Sequence, residues 1–306
     1  MESAYRPVGA GPAFSRQLID AILAFVGDGD LLAADDLRPA LERQLEAAGP
    51  DAVKALATAL TMERGWGYYP PDPIARRIHH YLAPRFLAPG STLSGAERLA
   101  AIESAPIVFV SNHLSYADAN AMEVLLHAAG LTGLAARLTA LAGPKVYSSR
   151  QRRFSSLCFG TIKVPQSSDV ASGEAAMSPR AVAIAARRAI QTAQARLAAG
   201  DVLMLFGEGT RSRTATMQPL LPAATRYLDA ADLWIVAVGL VGPENLFPVD
   251  GATVRPAKIT ATIGTPVRAR DLQDAVGGNR HDMADTLGTA IAELLPPAYR
   301  GVYART

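Results

Sequence analysis

The sequence predicts an α/β fold with a mixed, largely parallel central sheet, flanked by helices on both faces and preceded by a small N-terminal helical lobe. Three observations carry this prediction. From about residue 89 onwards, short β-branched runs alternate with alanine-rich helical segments. Most of these runs are apolar on both faces, which is typical of central strands covered by helices on each side. Before residue 88, apolar residues recur at helical spacing instead.

The first part of the chain is predicted to be helical throughout. Apolar positions at helical spacing predict helices over residues 14–26, 53–62 and 74–86, and no strand is expected there. The composition of Ala88-Pro-Gly-Ser-Thr92 indicates a linker. We therefore expect two domains, a helical lobe over residues 1–88 and an α/β domain over residues 89–306.

The α/β part contains six candidate strands and four candidate helices. The strands are expected at residues 107–110, 139–142, 161–164, 202–206, 233–241 and 259–263. The helices are expected at residues 116–129, 179–199, 220–230 and 281–295. In an open sheet of this kind, ligands gather beyond the carboxyl ends of the strands. Polar motifs that follow strands are therefore the first candidates for a functional site.

Composition limits where such a protein can work. A chain of 306 residues can bury a sizeable core without disulfide staples. Its single cysteine, Cys158, excludes an internal disulfide framework and fits a reducing compartment; we interpret it as a small buried hydrophobe. No secretion signal and no run of about 18 apolar residues is recognisable. We expect a cytoplasmic protein, with any membrane contact peripheral and on the inner face.

The segment His113-Leu-Ser-Tyr-Ala-Asp118 follows the first candidate strand. A hydroxyl needs a base near pH 7 to attack an activated acyl group, and an imidazole oriented by a carboxylate is such a base. The spacing of His113 and Asp118 across a strand-to-helix turn allows their side chains to meet. The same letters also fit a capping box, in which Asp118 only accepts backbone N–H groups at the helix start. Both interpretations stay open on this motif alone.

A second polar motif, Glu208-Gly-Thr-Arg-Ser-Arg213, follows the strand at 202–206. Its glycine-containing turn can point backbone amides at an anion, and Arg211 and Arg213 can add charge-assisted donors. The alternative is a polar loop in which Glu208 and Arg211 pair with each other. Lys163, at another strand end, is a further candidate donor to phosphate, although a lone lysine there is more often solvated.

The two motifs, with three further blocks, resemble the glycerolipid acyltransferases, the superfamily of glycerol-3-phosphate and lysophosphatidic acid acyltransferases. The first resembles the H-x4-D motif of that family, and Phe206-Gly-Glu-Gly-Thr-Arg-Ser212 resembles its F-P-E-G-T-R-S motif. The other blocks, in the family's order, are Gly160-Thr-Ile-Lys-Val-Pro165, Ile235-Val-Ala-Val-Gly239 and Ile263-Gly-Thr-Pro-Val267. Five blocks in one order, over about residues 95 to 270, make a chance agreement very improbable.

The resemblance implies an O-acyltransferase of phospholipid biosynthesis. It would move a fatty acyl group from acyl-CoA or acyl-carrier protein to the hydroxyl of a glycerol-phosphate or lysophospholipid acceptor, with no metal and no cofactor. His113 would be the general base, and Asp118 would orient it. Glu208, Gly209, Thr210 and Arg211 would bind the acceptor, with Arg211 on its phosphate and with help from Arg213 and Lys163.

Three positions depart from the family pattern. Gln166 stands where the family usually has an arginine, Gly207 replaces the proline before Glu208, and Ala237 replaces the proline of the later block. The change at Gln166 bears on the acceptor, since one phosphate contact is lost or supplied by another residue. A lyso-aminolipid or other non-glycerophosphate acceptor, or a catalytically silent lipid- or carrier-binding homologue, therefore remains an alternative.

Charge is unevenly distributed along the chain. Residues 124–200 contain ten basic and two acidic residues, a net charge of +8, whereas the whole chain carries +2. This segment is either a set of solvated helix faces or a docking surface, including Arg150, Arg152 and Arg153, for the acidic acyl donor or an anionic membrane. Nucleic acid is not an expected partner, because few aromatic residues are interleaved with these charges.

The pair His79-His80 is a conspicuous feature of the last predicted helix of the lobe. Adjacent histidines point away from each other on a helix, so they do not suggest a metal pair. We expect surface or packing roles for both.

Overall fold

The computed structural model describes residues 12–26, 37–62, 65–165, 177–230, 232–248 and 253–304. Over these residues nine strands form one sheet: β1 Tyr68–Tyr69, β2 Thr92–Ser94, β3 Ile107–Ser111, β4 Leu138–Ala142, β5 Gly160–Lys163, β6 Val202–Phe206, β7 Trp234–Val241, β8 Thr260–Ile263 and β9 Val267–Arg268.

Eleven α-helices lie within the same described ranges: α1 Pro12–Val26, α2 Leu37–Ala48, α3 Pro50–Thr61, α4 Pro73–Phe86, α5 Asp118–Ala128, α6 Thr132–Ala136, α7 Arg150–Ser156, α8 Pro179–Ala198, α9 Pro243–Leu246, α10 Ala269–Ala275 and α11 Arg280–Glu293. Pro179 occupies the first turn of α8, and the side chain of Ser178 accepts a hydrogen bond from the N–H of Ala181. None of the described helices combines the length and apolar character needed to cross a membrane.

The strand order is β1-β5-β4-β6-β3-β7-β8-β2, with β9 pairing with the start of β7. The five strands β5, β4, β6, β3 and β7 are mutually parallel. β1 and β8 join this core antiparallel, and β2 is parallel to β8. The predicted mixed, largely parallel sheet is confirmed.

Alternate residues of the buried strands pack into two cores, one on each face of the sheet. Phe109 and Met204 lie in the core shared with helices α1 to α5, whereas Val108, Val110 and Leu203 lie in the core shared with α8, α10 and α11. Both faces are therefore covered, which explains why these strands are apolar throughout.

The N-terminal helices share a core with the sheet. Apolar residues of α1 to α4, such as Leu18, Leu41, Leu56 and Ile78, belong to the same buried cluster as Phe109 of β3. The division into a lobe and a catalytic domain at residue 88 stays a prediction, and the contact between the two parts is an extensive apolar one.

Three expectations about elements were wrong. Residues 68 and 69 form β1 at the sheet edge, where no strand was expected, because Tyr68 and Tyr69 pair with Ile162 and Thr161 of β5. The linker predicted at residues 88–92 ends in β2. The segment 220–230 is not an α-helix but a tighter 3₁₀ turn at Pro222–Leu228. There the hydroxyl of Thr225 donates to the carbonyl of Pro222 three residues back, which competes with α-helical bonding.

Candidate active site

The two polar motifs come together because the strands that carry them are neighbours. β3 and β6 are paired in parallel, and Ser111 lies beside Phe206 in the register. Both strands therefore end at the same edge of the sheet, and the turns that follow them start side by side. Sequence analysis placed each motif at a strand end, and the pairing of the strands makes them one site.

His113 and Asp118 form a hydrogen-bonded pair in the turn between β3 and α5. The Nδ1 atom of His113 lies 2.7 Å from Oδ2 of Asp118, whose side chain is 1% exposed, whereas the imidazole is 17% exposed. The carboxylate thus fixes the ring through Nδ1, which leaves Nε2 as the atom able to take a proton from a ligand. This is the geometry of a base with its orienting carboxylate.

Asp118 also organises the turn itself. Its Oδ2 atom accepts hydrogen bonds from the backbone N–H groups of Leu114 at 2.8 Å and Ser115 at 3.1 Å. The two interpretations of the motif are therefore compatible, because one carboxylate oxygen serves the turn and the imidazole together. These backbone bonds fix the carboxylate in place before any ligand binds.

Glu208 joins the second motif to the first. Its Oε1 accepts the backbone N–H of His113 at 2.8 Å, and its Oε2 accepts the backbone N–H of Gln218 at 2.8 Å. The residue is buried, and burial raises the pKa of its carboxyl group, against the opposing effect of these two hydrogen bonds. Glu208 and Arg211 show no hydrogen bond to each other among the contacts of the described residues. Glu208 therefore holds the backbone of His113 in position.

Two further contacts hold His113 against the second motif. The ring of Phe206 stacks on the imidazole, with centroids 4.3 Å apart and planes 21° from parallel. The backbone N–H of Ser212 donates to the carbonyl of His113 at 2.8 Å. The position of the histidine is thus set by the turn after β6 as well as by its own.

Asn112, which sequence analysis did not single out, anchors the first motif to β7. Its side-chain amide donates to the carbonyl of Leu240 at 2.9 Å and accepts the N–H of Leu240 at 2.8 Å. The side chain of Asn112 thus pairs with both the N–H and the C=O of Leu240, as the backbone of a neighbouring strand would. The hint in the sequence was a polar residue at the end of an apolar run.

A small polar pocket of about 150 Å³ opens beside His113. Four basic residues contribute to its wall, namely Lys145, Arg152, Arg211 and Arg213, and among the described residues that line it there is no Asp or Glu. Gly209 and Thr210 also line it. A pocket with this charge favours an anionic ligand.

Lys163, another candidate phosphate ligand, lies away from this pocket. Lys163 is not among the residues that line this pocket, and its Nζ atom lies 5.0 Å from the ring centroid of Trp66 and 5.5 Å from that of Tyr147. Lys145, in the turn after β4, lines the pocket and was missed, because nothing in its local sequence marks it. Gln166 lies outside the described residues.

A larger, apolar cavity of about 420 Å³ lies between the N-terminal helices and helices α5 and α7. Half of its lining residues precede residue 88, among them Phe14, Ile22 and Phe86. The ring of Phe25 packs on that of Phe247, with centroids 5.4 Å apart, at the same wall. The N-terminal helices thus supply a lipophilic chamber next to the motif of His113.

The two cavities meet at three residues. Tyr116, Arg152 and Ser155 line both the polar pocket and the apolar cavity. An amphipathic ligand could therefore place a charged group in one and a hydrocarbon chain in the other, with its reactive part near His113.

The prediction that His79 and His80 point away from each other was wrong. Their Nε2 atoms bind the two oxygens of the same buried carboxylate, Glu123, at 2.9 Å and 2.8 Å. Burial alone would raise the pKa of Glu123, but the bonds from the two histidines outweigh it, and the pKa is lowered. The cluster fastens α4 to α5, so the packing role expected of these histidines is confirmed.

Several basic residues of the segment 124–200 are bound within the fold. Arg137 donates to the carbonyls of Glu103, Gly133 and Gly200. Arg196 forms an ion pair with Asp201 at 2.6 Å. Arg153 donates to backbone carbonyls at 60, 62 and 147. The +8 segment is therefore not a uniform solvated surface. A role of this segment in docking stays a prediction, and Arg153 is the least suited of the three arginines because its guanidinium already donates to backbone carbonyls.

Cys158 is buried, as expected, and its Sγ donates weakly to backbone carbonyls. Burial raises the pKa of its thiol far above the usual range, which makes it a poor nucleophile. Within the part of the chain that the structure describes, no group of three His, Cys, Asp or Glu side chains could hold a metal ion.

A paired His and Asp at the strand ends, a cationic pocket and an apolar chamber lie together on the α/β sheet. Residues 91–241 match the family model described as Acyltransferase. This segment of the chain is therefore an acyltransferase domain, and the resemblance to the glycerolipid acyltransferase superfamily is confirmed. The matched segment contains both motifs and all of the residues that line the polar pocket.

Among solved structures, the chain is similar to the 1-acyl-sn-glycerophosphate acyltransferase PlsC of Thermotoga maritima. The likeness covers 92% of this chain and 96% of that one, with 16% sequence identity and a TM-score of 0.43. A comparison with curated proteins found no match.

Proposed function

We propose that this acyltransferase moves a fatty acyl group from an acyl-CoA or acyl-carrier-protein thioester to the hydroxyl of a glycerol-phosphate or lysophospholipid acceptor. The observation that carries the proposal is the meeting of a cationic pocket and an apolar cavity beside the paired His113 and Asp118. These are the three environments that a phosphate, a hydrocarbon chain and a reacting hydroxyl require.

In the proposed reaction, His113 acts as the general base. The acceptor oxygen bonds to the thioester carbonyl carbon while its proton passes to Nε2 of His113. The C–S bond then breaks, and the leaving sulfur takes that proton, which yields an ester and a free thiol. Asp118 stabilises the imidazolium that forms between these steps, through the hydrogen bond at Nδ1. No serine nucleophile is needed in this scheme.

Each substrate has a proposed place. The phosphate of the acceptor lies in the polar pocket, where Arg211 and Arg213 supply positive charge and Gly209 and Thr210 complete the wall. The hydrocarbon chain of the donor lies in the apolar cavity, which removes its surface from water. Glu208 contributes indirectly, since its carboxylate is used by backbone N–H groups, and Lys163 has no place in this arrangement because it lies off the pocket wall.

The experiment that tests this proposal measures thiol release from a long-chain acyl thioester in the presence of a phosphorylated acceptor. Replacing His113 by Ala should lower kcat by roughly 10²- to 10⁴-fold, the usual contribution of a general base. Because the thiol of Cys158 is buried, a thiol-reactive dye reports released thiol with little background.

His281→Ala is the matched control for this variant. His281 lies exposed at the start of α11, away from the residues that line both cavities, and its loss should leave kcat within about two-fold of wild type. Near-normal turnover in His113→Ala would exclude the proposed mechanism.

A further inference from the structure

Two arginines from different parts of the fold converge on one aromatic ring in the polar pocket. The guanidinium carbon of Arg211, in the turn after β6, lies 4.4 Å from the ring centroid of Tyr116. That of Arg152, on α7, lies 5.0 Å from the same centroid. Tyr116 itself belongs to the turn that carries His113. All three residues line the polar pocket.

Arg152 is held in this position at its inner end. Its Nε atom donates to the hydroxyl of Ser149 at 3.0 Å, and Ser149 also caps α7 by accepting the backbone N–H of Arg152. With Nε used in this way, the two Nη groups are the part of the guanidinium left to meet a ligand. They make no hydrogen bond to the residues that the structure describes.

The electrostatics of this arrangement call for an anion. Two guanidinium groups at one ring repel each other, and attraction to the ring quadrupole offsets this only in part. Lys145 and Arg213 add positive charge in the same pocket, and none of the described lining residues is acidic. A phosphate dianion is the ligand that compensates several cations at once, with geometry that suits the planar donor fork of arginine.

The size of the pocket indicates that this phosphate belongs to the acceptor and not to the acyl donor. His113 and the arginines line one pocket of about 150 Å³, so its ligand carries its reacting group only a few bonds from its phosphate. A glycerol phosphate has this chemistry. In an acyl-CoA or acyl-carrier-protein donor, the long pantetheine arm separates the thioester from the phosphates.

We propose that Arg152 is a second phosphate-binding arginine for the acceptor, and that Tyr116 is a positioning residue that holds it beside Arg211. This inference rests on the proposed function, of which it names the acceptor contacts. It also assigns a residue on helix α7 to the phosphate contact that the sequence leaves open at Gln166.

The test is steady-state kinetics with glycerol 3-phosphate or 1-acylglycerol 3-phosphate, whichever stimulates thiol release by the wild-type chain. Arg152→Gln should raise KM for the phosphorylated acceptor at least ten-fold, while KM for the acyl donor stays within two-fold. Arg187→Gln is the control, because it removes the same charge from an exposed position on α8 that lines neither cavity.

Tyr116 is tested by two variants with different expected results. Tyr116→Phe keeps the ring and should leave KM for the acceptor within about two-fold of wild type. Tyr116→Leu removes the ring and should raise this KM at least five-fold with a smaller change in kcat. Equal effects of the two variants would remove the ring from its positioning role.

The results that overturn the inference are distinct from those that overturn the proposed function. A wild-type KM for the acceptor in Arg152→Gln, or a rise only in KM for the donor, contradicts the assignment of Arg152. If no phosphorylated acceptor stimulates the wild-type chain, the proposed function fails. Calorimetry with inorganic phosphate then decides on Arg152: at least ten-fold weaker binding by Arg152→Gln supports the assignment, and equal binding refutes it.

Discussion

The polar pocket and the apolar cavity are built in different ways. All residues that line the polar pocket lie between positions 113 and 213, in turns at the ends of neighbouring strands, in helices α5 and α7 or in the strands themselves. The apolar cavity draws half of its lining from helices before residue 88, which lie outside the segment 91–241 that matches the family model. The polar pocket is formed mainly by the sheet and the turns that follow its strands. The apolar cavity is formed where the N-terminal helices pack against the rest of the fold.

Because of this difference, we expect the polar pocket to govern turnover and the apolar cavity to govern which acyl chain is accepted. The base and its carboxylate are fixed by backbone hydrogen bonds within and between the turns after β3 and β6. The apolar cavity is shaped by side chains on packed helices, where each substitution changes volume. We therefore expect changes in the turns to alter turnover, and changes in the helices to alter which acyl chain is accepted.

Among variants that test the difference between the two cavities, we expect the largest loss of kcat and stability from a change at Glu208. Glu208→Ala leaves the backbone N–H groups of His113 and Gln218 without their acceptor. Loss of these two bonds should lower the free energy of unfolding by roughly 1–3 kcal/mol. A misplaced base should lower kcat by roughly 10²-fold. Urea denaturation and thiol release measure the two effects.

Glu244→Ala is the control for this variant. The carboxylate of Glu244 also accepts a backbone N–H, that of Gly242, but at the end of β7 and outside both cavities. We expect some loss of stability and a kcat within about three-fold of wild type. If Glu208→Ala lost stability but kept its kcat, Glu208 would hold the fold without positioning the base.

A smaller effect is expected at the apolar cavity. Ala21 lies exposed on α1 at the cavity wall, so Ala21→Phe should occupy part of the cavity without disturbing the core. The ratio of long-chain to short-chain turnover should fall by roughly ten-fold or more, as hydrophobic pockets discriminate among chain lengths. KM for the phosphorylated acceptor should not change.

Ala24→Phe is the matched control, because Ala24 is exposed on the same helix and does not line the cavity. It should leave the chain-length ratio as in wild type. An equal shift in both variants would mean that the apolar cavity does not hold the acyl chain.

Strand ends were predictable from the sequence, and the meeting of distant groups was not. The apolar runs placed the turns of His113 and Glu208 correctly, since a fully buried parallel strand has a recognisable composition. For Lys145 and Arg152, the neighbouring sequence does not indicate that the side chain lines the pocket. Each reaches the pocket through an element whose position depends on long-range packing, the turn after β4 and helix α7.

Short elements and shared partners were also beyond sequence reasoning. β1 consists of two residues and exists only through its pairing with β5, so no periodicity announces it. Glu123 draws His79 and His80 onto one carboxylate, a contact between helices more than 40 positions apart in sequence. Helix geometry alone suggested that the two rings diverge, and a buried charge outweighed that tendency.

The most direct test of the whole account is an acceptor panel with the wild-type chain. Thiol release from long-chain acyl-CoA and acyl-carrier protein is measured with glycerol 3-phosphate, 1-acylglycerol 3-phosphate, glycerol and a lyso-aminolipid, and the ester product is identified by mass spectrometry. We expect at least ten-fold stimulation by a phosphorylated acceptor over glycerol, with the acyl group on the hydroxyl of that acceptor. Equal release with phosphorylated and unphosphorylated acceptors would contradict it.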